Sequence, residues 1–205
     1  MPDPSQEWID NYFKGKTGRF LDIGAYDGYI NSLTCGLAMA GWSGVFVEPN
    51  PPQFITLLER YRHAGPRLQF VHAAIAAQAG LVKFWSADRG QGNTLNKQWR
   101  DMFMKMCGTV YDEYHVAAIT PIELLNAFGG PRDWHFVSID AEGVSIEICC
   151  ALPLAEMIDT EIMCIEWAQG LEEGTAGRQE LLACLTPYYH VVFSDVTNVI
   201  VKRKA

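Results

Sequence analysis

Short apolar runs recur along this chain, and most are separated by a segment whose apolar residues return at helical spacing. That alternation constrains the fold more than any single motif. RFLDIG (19–24), GVFVEPN (44–50), LQFVHAAI (68–75), WHFVSIDAEG (134–143) and TEIMCIEW (160–167) read as buried strands. The helices predicted between them are 29–40, ended by Gly41, and PPQFITLLERYRHAG (51–65), with Phe54, Leu57, Leu58 and Tyr61 on one side. VSIEICCAL (144–152) and TAGRQELLACL (175–185) follow the last two strands. Asp3 before Pro4 starts a further helix at the N-terminus. Apolar strands alternating with helices give an α/β fold whose mostly parallel sheet is covered on both faces. The end differs: YYHVVFSD and NVIVKRK, joined by a tight turn at 195–198, predict a closing antiparallel hairpin.

The rhythm is interrupted once. AGLVKFW (79–85) reads as an extra strand, GQGNT (90–94) as a loop, and residues 95–108 as a helix with Leu95, Trp99, Phe103 and Met106 along one side. Alternation resumes at YHVAAIT, and Thr120-Pro121-Ile122-Glu123 forms a capping box with proline at the first helical position. The chain therefore reads as one domain, 1–205, with an insert at about 83–119. Because such excursions carry specificity, the insert is expected to build part of an acceptor pocket.

Charge and composition exclude several function classes. A net charge of −8 argues against nucleic acid as a partner. The one local basic bias, Lys83, Arg89, Lys97, Arg100 and Lys105, is diluted by Asp88 and Asp101. No apolar run approaches the roughly 18 to 20 residues that a membrane span requires. The N-terminus carries no basic and apolar leader, so a cytoplasmic protein is expected. The six cysteines show neither CxxC nor Cys/His ligand spacing, so no metal is expected and they read as reduced, mostly buried thiols.

In a parallel sheet, ligands bind beyond the carboxyl ends of the strands, near the topological switch point. Asp22, the 24–28 turn, Glu48, Ala73, Ala74, Asp140, Glu142, Glu166 and Trp167 all fall there, whereas His135 falls at the opposite edge. The turn Gly24-Ala25-Tyr26-Asp27-Gly28 permits close approach to a ligand, and Glu48 at the end of the second strand can accept hydrogen bonds from two ribose hydroxyls. Together they point to an adenosine cofactor. A nicotinamide dinucleotide remains one alternative, but Ala25-Tyr26 stands where the GxGxxG fingerprint places its second glycine, and the closing hairpin favours methyl transfer over hydride transfer. A protein that binds the cofactor without turnover is another.

The runs FLDIGAYDGYINSLT, GWSGVFVEPNPPQFITLLERYR, FVHAAI, VSIDAEGVSIEI and IMCIEW, in this order over residues 20 to about 167, resemble the FkbM-like S-adenosylmethionine-dependent methyltransferases. The resemblance implies the Rossmann-like class I methyltransferase fold, a three-layer sandwich around a seven-stranded sheet. It also implies methyl transfer to an oxygen, here on a small-molecule or glycan acceptor: a sugar, glycolipid or secondary metabolite. By position in the family pattern, Asp22 and Gly24, Ala25, Tyr26, Asp27 and Gly28 flank the methionine moiety. Glu48 holds the ribose, with Pro49 and Asn50 shaping that side, and Ala73 and Ala74 lie by the adenine. Asp140, Glu142 and Gly143 match the family's D-x-E-G.

Two departures stand out. Leu33 replaces the asparagine of a Ser-Asn-Thr found in a related subgroup, and HAAI offers no carboxylate to adenine, leaving backbone groups or His72. An aliphatic acceptor hydroxyl must lose its proton. Asp140 is the first choice as base, with Glu142 and Glu166 as alternatives; each can also stabilise the cationic donor electrostatically.

Overall fold

Hydrogen-bonded register, rather than apolar content alone, decides which of the predicted runs join one sheet. The computed structural model describes residues 3–88, 92–130, 132–167 and 174–205; Arg89 and the start of the GQGNT loop lie outside them. The first half comprises α1 (Pro4–Phe13), β1 (Arg19–Ile23), α2 (Cys35–Met39), β2 (Ser43–Val47), α3 (Pro51–Tyr61) and β3 (Leu68–Val71). The interruption comprises β4 (Ala74–Ile75), β5 (Gly80–Ala87), α4 (Lys97–Cys107) and β6 (Tyr111–Ile119). The chain returns through α5 (Pro121–Ala127), β7 (Trp134–Ile139), α6 (Ser145–Cys150), α7 (Leu154–Met157) and β8 (Thr160–Glu166). It closes with α8 (Gly174–Leu185), β9 (Tyr189–Ser194) and β10 (Asn198–Arg203).

The main sheet has seven strands in the order β3-β2-β1-β7-β8-β10-β9. Its first five strands run parallel, while β10 is antiparallel to both β8 and β9. The order reverses between β1 and β7, which places the switch point beside Asp22 and Asp140. His135 sits at the far edge, where its Nδ1 accepts from the Arg19 amide at 3.2 Å.

Two expected elements are shorter than the pattern suggested. LQFVHAAI is not one strand: β2 ends at Val47, opposite Val71, and turns into α3, so the chain beyond Val71 has no ladder to join. Ala74–Ile75 instead pairs in parallel with Ala118–Ile119, forming a separate three-stranded sheet, β4-β6-β5. Residues 29–34 are not helical either. The Asp27 carboxylate accepts from the Tyr29 and Ile30 amides, Asn31 has a φ of 56°, and the Ser32 hydroxyl accepts from the Cys35 amide, so α2 begins only at Cys35. The Thr120–Glu123 capping box forms as expected, with reciprocal bonds of 3.3 and 2.8 Å.

The two sheet faces bury separate apolar clusters. One packs α5 to α8 around Leu21, Val137, Ile139 and Met163, and the other packs α1 to α3 around Phe20, Phe46 and Phe136. Trp42 anchors the second: its ring meets Phe13 edge-on at 4.9 Å, and its Nε1 donates to the Lys16 carbonyl at 2.9 Å. All six cysteines are free, and only Cys149 and Cys164 are buried; Cys107, which ends the exposed α4, is open to solvent. No helix among the described residues is long and apolar enough to cross a membrane. Because Trp42 is fully buried and hydrogen-bonded, Trp42→Ala is expected to cost about 3–5 kcal/mol, read as a lower urea midpoint at unchanged m-value.

Candidate functional site

The carboxyl ends of β1, β2, β7 and β8 open on a cavity of about 450 Å³. Asp22, one residue before the end of β1, turns its carboxylate inward, where it accepts from the Thr34 hydroxyl; Ser138 borders the same cavity from β7. Beyond Ile23 the Gly24 and Ala25 amides both donate to the Val47 carbonyl, at 3.0 and 3.1 Å. Gly24 has a φ of 85°, and a Cβ there would lie 1.7 Å from the Asp140 carbonyl oxygen, so only glycine lets these two turns touch. The Tyr26 amide then donates to Glu48 Oε2 at 2.8 Å, and the Asn50 amide donates to Oε1 at 2.7 Å. Both Glu48 oxygens are thereby held by backbone.

The turn after β7 is held as firmly. The Asp140 amide donates to the Ile23 carbonyl, and the Ala141 amide to the Ser145 hydroxyl, at 2.9 Å each. Glu142 and Gly143 both take left-handed conformations, with φ of 46° and 89°. The interrupting segment clamps them: the Thr94 hydroxyl donates to the Glu142 carbonyl, Asn96 Nδ2 to the Gly143 carbonyl at 3.0 Å, and the Gly92 amide to Glu142 Oε1 at 3.2 Å. A Cβ on Gly143 would come within 2.8 Å of the Trp99 ring, which fixes how closely α4 sits on this loop. Glu166 ends β8, where its carboxyl accepts from the Ser145 hydroxyl at 3.4 Å and lines the same cavity as Asp140.

Six carboxylates line the cavity (Asp3, Asp22, Glu48, Asp140, Glu142 and Glu166), and its described lining contains no Lys, Arg or His. Burial, reinforced by mutual repulsion, pushes Asp22 up to about 7, Glu48 to about 8 and Glu142 to about 7. The same desolvation raises Asp140 and pushes Glu166 well above its ordinary value. For Glu48, its two amide donors offset part of the effect.

Of the residues singled out from sequence, Asp22, Gly24, Ala25, Tyr26, Glu48, Pro49, Ala73, Ala74, Asp140, Glu142 and Glu166 all border this one cavity. Asp27, Gly28 and Asn50 stand behind its wall. Asp27 caps the 29–30 turn and pairs with Arg60 at 3.0 Å, the Gly28 carbonyl accepts from Tyr61, and Asn50 Nδ2 donates to Ser86. His72 is exposed and stacks on Phe54, away from the cavity. Sequence reading missed Ser138, Ser145, Thr94 and Asn96, and met Thr34 only as the last position of the incomplete Ser-Asn-Thr pattern. A hydroxyl inside the apolar run WHFVSID was a legible hint for Ser138, whereas nothing local marks Thr94 or Asn96.

A family model described as the methyltransferase FkbM domain matches residues 22–175. No curated protein gives a significant match. Among solved structures, the chain is similar to an FkbM methyltransferase from Methylobacillus flagellatus, at 13% identity and a TM-score of 0.56 over 97% of this chain and 48% of that one. It is also similar to a Klebsiella pneumoniae protein carrying an O-methyltransferase assignment, at 11% identity and a TM-score of 0.56 over 100% and 81%. Monomeric WbdD matches at 11% identity and a TM-score of 0.55 over 98% and 41%. The chain thus spans under half the length of the first and third of these.

The buried carboxylates make stability fall with rising pH. Unfolded, they titrate near 4, but folded, Asp22, Glu142 and Glu48 hold their protons to about 7 or 8, so this stabilisation is complete at low pH and lost through that window. The expected slope is on the order of 1.4 kcal/mol per pH unit for each titrating group. Thermal melts of the ligand-free protein from about pH 5.5 to about pH 8.5 check this, and Glu142→Gln is expected to flatten the profile.

Proposed function

The chain belongs to the methyltransferase FkbM domain family, and we propose that it uses S-adenosylmethionine to methylate a hydroxyl group of a sugar, glycolipid or secondary metabolite. The observation that carries this reading is the charge of the cavity: six carboxylates at the switch point with no described basic residue among them. Such a site is an electrostatic complement to a cationic ligand and repels phosphates. It fits the cofactor in shape as well. Gly24 lets the backbone lie close under the ligand, and each Glu48 oxygen, having accepted one amide, keeps a second lone pair for a ribose hydroxyl. Ala73, Ala74, Ile75 and Phe84 supply an apolar end for adenine. A dinucleotide is disfavoured because Tyr26 occupies the turn where a pyrophosphate needs open backbone.

When bound, S-adenosylmethionine supplies a methyl group already activated on a sulfonium. The protein's own work is to orient the acceptor, exclude water and take one proton. Asp140 is the base in this reading: it directly follows β7 at the switch point, and burial raises its proton affinity. Glu142 shares the loop, with one oxygen held by the Gly92 amide. Phe103, Thr94 and Leu95 bring the interrupting segment to the cavity wall, so residues 83–119 contribute to the acceptor pocket of a single methyltransferase unit.

Calorimetric titration with S-adenosylmethionine, S-adenosylhomocysteine and NAD tests the assignment. The first two are expected to bind and NAD not to, with Glu48→Ala weakening both by tenfold or more, as for losing charged hydrogen bonds worth about 1.5–3 kcal/mol. Binding of NAD alone overturns the reading. In an acceptor screen read by S-adenosylhomocysteine release, Asp140→Asn is expected to lower turnover by about 10²–10⁴-fold while leaving cofactor affinity within a few-fold.

A further inference from the structure

We propose that Asn198 is an acceptor-binding residue: with Thr197 and Asp3 on the same wall of the cavity, it receives further hydroxyl groups of a saccharide ring while another hydroxyl of that ring meets the methyl donor. The inference rests on the proposed methyl transfer and deepens it, selecting a sugar ring with several free hydroxyls from the acceptor classes named above.

Asn198 opens β10 directly opposite Glu166, so the two are cross-strand neighbours on one face of the sheet, and both border the cavity. Glu166 stands one position beyond the Ile139–Ile165 pair, which sets it beside Asp140. Asn198 is thus two strands from Asp140, about 10 Å between backbones at ordinary strand spacing. Side chains reaching inward from both ends leave between them the span of one six-membered ring and its hydroxyls. The turn that presents Asn198 is pre-organised. Asp195 Oδ1 accepts from the Thr197 and Asn198 amides, at 2.8 and 2.7 Å, while Oδ2 accepts from the Ser5 hydroxyl at 2.8 Å. Ser5, fully buried in the first turn of α1, also accepts from Asn198 Nδ2 at 3.3 Å, and its amide donates to Asp3 Oδ1 at 2.8 Å. The N-terminal helix and the hairpin turn, almost the whole chain apart in sequence, therefore form one rigid wall.

The hydrogen-bonding capacity left over on this wall points to a ligand. Asn198 is only 7% exposed, and with Nδ2 given to Ser5 its Oδ1 accepts no hydrogen bond from the described residues. A buried amide oxygen calls for a donor. The Thr197 hydroxyl and the second Asp3 oxygen are likewise uncommitted among the described residues, and both residues border the cavity. Three oxygens along one wall match a ligand that carries several hydroxyl donors on a rigid frame. A simple alcohol offers one hydroxyl, which the methyl donor already claims, and gives this wall nothing to hold. The cofactor makes no demand on it either, because Glu48 and the turn after β1 lie on the other side of β7.

Saturation-transfer NMR on protein loaded with S-adenosylhomocysteine tests this, with the methyl glycosides of glucose, galactose, mannose and rhamnose as probes and cyclohexanol as a ring of similar size bearing one hydroxyl. Transfer to at least one glycoside is expected, and clearly less to cyclohexanol. Asn198→Ala is expected to lower the apparent affinity for that glycoside by about threefold to tenfold, the effect of one uncharged hydrogen bond, with S-adenosylhomocysteine affinity kept within a few-fold. Thr197→Val, at an exposed residue whose side chain makes none of the bonds that hold the turn, is expected to act in the same direction. It decides the question if Asn198→Ala no longer binds S-adenosylhomocysteine. No transfer to any glycoside in the loaded wild type, equal transfer to cyclohexanol, or undiminished glycoside affinity in both variants overturns the inference and leaves the cofactor assignment standing. Failure of the wild type to bind S-adenosylhomocysteine overturns the cofactor assignment itself.

Discussion

Buried carboxylates supplied with hydrogen-bond donors, with no counter-charge among the described residues that line their cavity, are the constraint around which this end of the molecule is built. An ionised acid removed from water needs either donors or an opposite charge. Glu48 receives two backbone amides, Asp22 the Thr34 hydroxyl and Glu166 the Ser145 hydroxyl. These partners orient the groups without neutralising them. The negative field is therefore left to act on whatever enters the cavity, and the raised proton affinities are its signature in the ligand-free protein.

Supplying those donors dictates backbone shape. The Tyr26 amide reaches Glu48 only because the chain reverses at Gly24, and that reversal brings Gly24 against the Asp140 carbonyl, where no side chain fits. The β1 and β7 turns thus brace each other across the switch point. The small sheet adds a second brace. By leaving the main sheet after Val71, the chain carries Thr94, Asn96 and Trp99 over the Glu142–Gly143 loop, so the segment that interrupts the strand-helix rhythm also fixes the D-x-E-G turn. One wall of the cavity and the clamp on an acidic loop are the same piece of chain.

Most of the architecture was legible because it follows from periodicity. Five apolar runs became the five parallel strands, and the hairpin was marked by two β-rich runs around a short polar turn. Where reading failed, the deciding contact was distant in sequence. LQFVHAAI looked continuous because its apolar character continues, but strandhood requires a partner, and β2 stops at Val47. YINSLTCGLAMA carried helical spacing, but the competing demands of Asp27, Ser32 and Thr34 for local hydrogen bonds held its first half out of the helix. The acidic members of the site were visible as charged residues ending apolar strands. Their hydroxyl partners were not, since serine and threonine carry no such contrast.

Backbone conformation independently marks the same cavity. Among the described residues, Tyr26, Asn31, Asp133 and Glu142 are the non-glycine residues in the left-handed region, with φ between 46° and 69°, and all but Asp133 line the cavity. Each such conformation costs of order 1–3 kcal/mol and persists only where surrounding structure over-determines it. Tyr26 is fixed by Glu48 and Glu142 by the Thr94 and Gly92 bonds, so the strain is held by the same contacts that position the acids. A cationic ligand can relieve the electrostatic part of this local cost, but it cannot relieve the backbone part, which the two apolar cores must sustain with or without ligand. The site is therefore pre-shaped in its backbone and adjustable in its protons, and ligand entry is expected to change charge states more than conformation.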